Sequence, residues 1–305
     1  MELRLRPAVG VAMTRHPARV PHVLAIALLV ACAACSPAAG KTTAPRRVDP
    51  ATVSVPELVE IPGGPFTMGA DPARDPLAFD NERWSPAGGT GTVDLPAFYI
   101  GRHEITVGQF AAFVRATGWS IDERALQAPD NHPVTFVSWP DALAYCRWLE
   151  SVLPNSPAVS DEVKARLGEG WRVLLPSEAQ WEKAARGTDA RVFPWGAAAD
   201  RQRANYEGRA TSPVGSFPCP ECPYGLLDMS GNVWEWTSSP YQPYPYDASD
   251  DLDVRGDEVL WVIRGGHFGD PARLVRTTAR GAAEPGARRA FIGFRIVVTR
   301  AVSAR

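Results

Sequence analysis

Beyond Gly187 the chain offers almost no run of apolar residues with a helical or a strand period; Pro, Gly and Trp recur instead. Proline removes a backbone donor and glycine widens the choice of backbone angles, so a segment rich in both closes into turns, short strands and packed loops. Such a domain cannot rest on backbone ladders alone, and side chains have to bridge its loops. The ten tryptophans meet that need, because each carries enough apolar area to join irregular segments, and core packing is the first expectation for nearly all of them. With 305 residues, 45% of them hydrophobic, the chain is long enough to bury a substantial core.

The first part of the domain is more regular. Three helices are placed by their starts, each a hydroxyl residue followed three positions later by a side chain able to cap back. Thr106 with Gln109 opens one that carries Phe110, Phe113 and Val114 on a single face and stops at Gly118. Ser138 with Asp141 opens a second, bearing Leu143, Tyr145, Cys146 and Leu149. Ser177 with Gln180 opens a third, which carries Trp181 and ends at Gly187. Residues 61–69 mix strand and turn formers, and the polar stretch 71–91 offers no regular structure.

Arg4, Arg6, Arg15 and Arg19 precede an uncharged run from Val23 to Ala34, the length of a signal-peptide core and too short to span a bilayer as a helix. The expectation is export, with residues 1–34 as a lipoprotein-type leader, Cys32 or Cys35 as the lipidated residue, 35–54 as a tether, 55–300 as the domain and 301–305 as a tail. Anchoring through that lipid would hold the protein in the cell envelope, periplasmic or at the cell surface. Of the net charge of −2, the four leader arginines outweigh Glu2 by three, which leaves −5 on the rest and argues against general nucleic-acid binding. In an oxidising compartment Cys146, Cys219 and Cys222 are disulfide candidates before they are metal ligands. The spacing favours a Cys219–Cys222 bridge, ahead of free or externally paired thiols and of a metal or redox role.

Eight segments occur in a distinctive order. They begin with Ile-Pro-Gly-Gly-Pro-Phe-Thr-Met-Gly at 61–69, Phe-Tyr-Ile-Gly-Arg-His-Glu-Ile-Thr at 98–106 and His-Pro-Val-Thr-Phe-Val-Ser-Trp at 132–139. Leu-Leu-Pro-Ser-Glu-Ala-Gln-Trp-Glu-Lys-Ala-Ala-Arg-Gly at 174–187, Phe-Pro-Trp-Gly at 193–196 and Pro-Val-Gly-Ser-Phe at 213–217 follow. Tyr-Gly-Leu-Leu-Asp-Met-Ser-Gly-Asn-Val-Trp-Glu-Trp at 224–236 comes next, then Arg-Gly-Gly at 264–266 with Gly-Phe-Arg at 293–295. Together they resemble the sulfatase-modifying-factor family, which includes the formylglycine-generating enzymes. The resemblance covers residues 55–299 and implies an α+β fold of low regular content, similar to the C-type-lectin-like architecture.

The resemblance also sets what chemistry to expect. Formylglycine-generating enzymes use two cysteines just after the Arg-Gly-Gly segment to hold copper, a soft ion that wants thiolates. Here residues 267–280 contain no cysteine, so copper is not expected. The family's sulfoxide-synthase branch uses an iron held by histidines of an additional helical domain, which this chain lacks. Among cleft candidates, His267 and Asp270 are the ones a catalytic role would fall on, although a packed structural histidine is the simpler reading. Family members bind calcium at the positions matching Asp228, Gly231, Val233 and Glu235. Two carboxylates with the backbone carbonyls of a turn suit that hard cation; the alternative is that Asp228 caps a turn and Glu235 pairs with a buried arginine. A second family calcium site would involve Asn205 and Tyr206, but the acidic loop that completes it is missing. Arg264, Arg280 and Arg295 fall inside the motifs and are expected to tie loops together. The leading expectation is therefore an envelope-tethered domain without formylglycine-generating oxidase activity. It would be a binding or accessory module for an envelope protein, peptide or glycan, and the alternative is an oxygen-dependent oxidoreductase acting on a peptide or metabolite.

Overall fold

The computed structural model describes residues 53–251 and 259–300. The expected leader with Cys32 and Cys35, nearly all of the tether and the 301–305 tail lie outside the described residues. The described strands are β1 (Leu58–Ile61), β2 (Gly64–Met68), β3 (Gly91–Leu95), β4 (Phe98–Gly101), β5 (Trp171–Leu174) and β6 (Trp234–Pro240). β7 (Trp261–Arg264), β8 (Arg280–Ala283), β9 (Ile292–Gly293) and β10 (Val297–Arg300) complete them. The helices are α1 (Val107–Thr117), α2 (Trp139–Val152), α3 (Asp161–Gly168) and α4 (Glu178–Arg186). The strands form one sheet in the order β1-β4-β10-β5, a β2-β3 hairpin, and a second sheet in the order β8-β7-β6-β9. None exceeds seven residues, so most of the described residues lie in turns and loops, the α+β arrangement of low regular content that the resemblance implies.

All three expected helix starts carry a capping box, with Thr106–Gln109, Ser138–Asp141 and Ser177–Gln180 exchanging side-chain and backbone hydrogen bonds. Gly118 closes α1 at φ 67°, a left-handed turn that a side chain would strain. α3 escaped the pattern because Ser160 caps the Val163 amide while Val163 has nothing to return, and Val163 is the helix's one buried residue.

The core is built across loops. α1 and α2 bring Phe110, Phe113 and Tyr145 together against Phe294, whose ring meets that of Tyr145 edge-on at 5.4 Å. A second apolar cluster joins Phe98 and Ile100 of β4, Val297 of β10 and Trp181 of α4. Tryptophans bridge segments that share no ladder: Trp139 stacks on Trp261 at 3.9 Å and donates to the Thr237 carbonyl at 2.8 Å, while Trp236 donates to the Val137 carbonyl at 3.0 Å.

Candidate functional site

α4 presents Glu178 and Glu182 one turn apart, so both carboxylates leave the same face of the helix. Register places Arg264 of β7 opposite Arg280 of β8, and directly opposed residues share a face of the sheet. The two features meet in the interior. Arg264 donates to Glu182 at 2.5 Å and to the Thr277 and Thr278 carbonyls at 2.8 and 3.0 Å. Arg280 grips Glu178 with two parallel bonds at 2.8 and 2.7 Å. Burial works against the charge of Arg264, but the neighbouring Glu182 and Glu178 carboxylates outweigh it and hold the guanidinium above its ordinary value. Nothing in the sequence pattern had pointed to a companion pair: Arg276 forks onto Glu82 at 2.7 and 2.6 Å and also pairs with Asp75. Glu82 lies in the stretch expected to be featureless, yet it is fully buried. These arginines are ties between loops.

A different arrangement surrounds the expected calcium residues. Both oxygens of Glu235 accept from Arg295, at 2.6 and 2.7 Å, and Oε2 accepts from Trp181 Nε1 at 2.8 Å. Asp228, at φ 56°, accepts from the Gly215 amide at 2.6 Å. Asp228 thus holds a turn, and Glu235 pairs with a buried arginine. A third carboxylate, Glu104, lies in the 98–106 motif, directly after Arg102 and His103, and went unassigned in the sequence. It has no exposure; its Oε1 accepts from Asn232 Nδ2 at 3.0 Å, and its Oε2 has no hydrogen-bond partner. Burial, then the charges of Asp228 and Glu235, push Glu104 well above the ordinary carboxylate range; burial likewise raises Asp228. Three interacting carboxylates face one guanidinium, so the pocket carries excess negative charge that a divalent cation would balance. Among the described residues no three His, Cys, Asp or Glu side chains are grouped so that they could hold a metal ion, so a cation here would have to rest largely on backbone carbonyls. Calcium there would draw on Asp228 and the carbonyls of Gly231 and Val233, beside Glu104 and beside Glu235, whose two oxygens Arg295 already engages. Gly231 belongs to the turn for a steric reason: at φ 78°, a Cβ there would stand 2.2 Å from the Asn205 carbonyl oxygen.

His267 and Asp270 do come together, but as a packed pair. Nε2 of His267 lies 3.2 Å from Asp270 Oδ1, its Nδ1 accepts from the Gly269 amide at 3.0 Å, and the ring stacks on Phe291 at 4.7 Å. Both ring nitrogens are thus engaged within the chain. Neither residue lines the cavities of about 460 and 530 Å³ described below. The thiols are also spoken for: Cys219 and Cys222 form a disulfide with Cα atoms 5.3 Å apart, and Cys146 is a free, buried thiol whose ionisation burial opposes. Residues 267–280 offer no thiolate, so this segment does not fit copper.

Two open cavities remain. One, of about 460 Å³, lies between Asn81 and Arg83 on one side and Tyr241, Gln242 and Tyr244 on the other, with Arg280 at its base. The other, of about 530 Å³, has His103, Thr106, Asp130 and Asn131 in its wall.

Short strands, capped helices and loops tied by buried arginines define a class, the fold of the formylglycine-generating enzymes. A family model described as the sulfatase-modifying factor enzyme 1-like domain matches residues 44–300, and the chain belongs to that family. It is 31% identical to the formylglycine-generating enzyme of Thermomonospora curvata over 309 residues, covering 78% of this chain and 92% of that one. It is 29% identical to the hercynine oxygenase of Mycolicibacterium smegmatis over 290 residues, covering 78% of this chain but only 60% of that protein's length. Among solved structures, PvdO from Pseudomonas aeruginosa superposes with a TM-score of 0.64 at 29% identity, over 80% of this chain and 94% of that one.

Proposed function

We propose that this sulfatase-modifying-factor domain acts as a binding or accessory module and does not run the two-thiol copper oxidation. The observation that carries the reading is the thiol inventory of the described residues: none in residues 267–280, one bonded pair at Cys219 and Cys222, and one buried thiol at Cys146. Among the described residues a copper(I) centre held by two thiolates has no pair of free thiols to draw on. Calcium belongs to the proposal as a structural ion. Its support is the unpartnered Oε2 of Glu104 beside the buried Asp228 and Glu235 carboxylates, and the ion's contribution would be to neutralise that excess charge and brace the turn.

A second reading, an oxygen-dependent oxidoreductase, draws on relatives that are named as oxidative enzymes. Fold likeness alone does not transfer an activity. The engaged nitrogens of His267 weigh against a catalytic role for that residue.

Incubating the purified chain with a cysteine-containing peptide, oxygen and copper(I) separates the two. No aldehyde product is expected by mass spectrometry. Oxygen-dependent turnover that disappears when Cys219 and Cys222 are both changed to serine would overturn the non-oxidase reading.

A further inference from the structure

Loops from three distant parts of the chain converge on the cavity between Asn81 and Tyr241, and one residue organises them. The Arg280 guanidinium stacks against the rings of Tyr241 and Tyr244, 4.9 and 4.1 Å from their centroids. Its Nε and Nη2 are spent on Glu178, and its Nη1 holds the carbonyls of Asn81 and Gln242 at 3.2 and 3.0 Å. The aromatic wall and both polar edges are therefore positioned before any ligand arrives, and Asn81 Nδ2 adds a bond to the Tyr241 hydroxyl at 3.0 Å. Burial and the neighbouring Glu178 and Glu182 keep the Tyr244 phenol protonated. At about 460 Å³ the space falls within the range of small-ligand pockets, roughly 300–1,000 Å³.

The lining selects among ligand classes. Charge is already balanced: Arg280 by Glu178, and Arg83 by the exposed Asp80 at 3.0 Å. A charged ligand gains little there. An extended peptide would look for main-chain partners, but the carbonyls at positions 81 and 242 are taken by Arg280. What stays on offer is the Tyr241 ring, with Tyr244 packed against Arg280 and Trp84 beside it, flanked by Pro86 and Pro243 and by the planar polar groups of Asp80, Asn81, Arg83 and Gln242. A pyranose matches that combination. Its C–H face packs on an aromatic ring, and its neighbouring hydroxyls pair two at a time with carboxylate, amide or guanidinium groups.

We infer that the Asn81–Tyr241–Tyr244 cleft is a binding site for a neutral saccharide, one to two sugar rings long. This rests on the binding-module reading and names its ligand class. The site owes nothing to the carboxylate cluster, since none of its lining residues belongs to that cluster.

Saturation-transfer NMR of the purified chain with N,N′-diacetylchitobiose, maltose, cellobiose and lactose provides the test, with a tetraproline peptide as comparator. At least one disaccharide is expected to bind, with affinity falling tenfold or more in Tyr241→Ala and persisting in Tyr241→Phe, which keeps the ring. Circular dichroism on both variants checks that the fold survives. If tetraproline binds in place of the sugars and is lost in Tyr241→Ala, the saccharide assignment falls while the binding-module reading stands. If no disaccharide binds, or binding ignores Tyr241→Ala, the inference is wrong; the copper oxidation assay then judges the broader reading by itself.

Discussion

Arg264 has no exposed surface, and its guanidinium reaches Glu178, Glu182 and two carbonyls at once. A buried pair of this sort is weak evidence of net stabilisation, because desolvation offsets most of the attraction, but breaking it leaves a charge stranded. Replacing Arg264 with methionine is therefore expected to cost about 3–5 kcal/mol in urea unfolding. Arg186 and Arg280 still face the two carboxylates and pull the loss towards the lower end. Arg264→Lys should not restore stability, since an ammonium cannot span four acceptors with a planar fork. A loss below about 1 kcal/mol would mean that the pairing matters less than its burial implies. The motif arginines were legible as loop ties. Arg276 with Glu82 was not, because 194 positions separate them and neither sits in a motif with a stated role.

Helix starts were the most readable elements, and the reason is local: a capping box needs only four consecutive residues to satisfy each other's backbone groups. Ser177 opens α4, the helix that holds Glu178 and Glu182 in line with the arginines. Ser177→Ala removes the acceptor for the Gln180 amide and should lower stability by about 1 kcal/mol in denaturant titration. A larger penalty would indicate that fraying at the first turn reaches the Glu178 bonds; none at all would mean that packing alone fixes the helix. Strands were less readable. With four residues or so apiece they show too few alternations to declare a face, and β9 is only two residues long. Its partner, β6, runs parallel to it and lies more than fifty positions away.

At the scale of the whole molecule, the buried carboxylates couple folding to protons and, through the calcium proposed above, to that ion. Glu104 and Asp228 have raised pKa values, chiefly through burial. A raised carboxylate favours the folded state at pH values below its unfolded value of roughly 4, and that contribution is lost as pH climbs through the raised value. In chelator, then, thermal stability should decline from about pH 4 upward on account of these groups. Calcium competes with the protons, so its stabilisation should be small at pH 5 and larger at pH 8. At a hundredfold excess over the dissociation constant it should approach about 2.7 kcal/mol, or roughly 5–10 °C in midpoint. Differential scanning calorimetry of the chain and of Glu104→Gln checks this; an equal calcium shift at both pH values, or one indifferent to Glu104→Gln, would contradict the proposed site. The sequence by itself determined the family, the low content of regular structure, the three capped helices and the absence of a thiol pair after Gly266, because each depends on residue identity or on neighbours a few positions apart. Only the tertiary structure decided that Glu104 joins Asp228 and Glu235, that both nitrogens of His267 are occupied, and that Asn81, Tyr241 and Arg280 share a cleft. Those groupings arise from burial and from contacts between segments some thirty to two hundred residues apart, or from where a local pair ends up packed, and no local pattern encodes them.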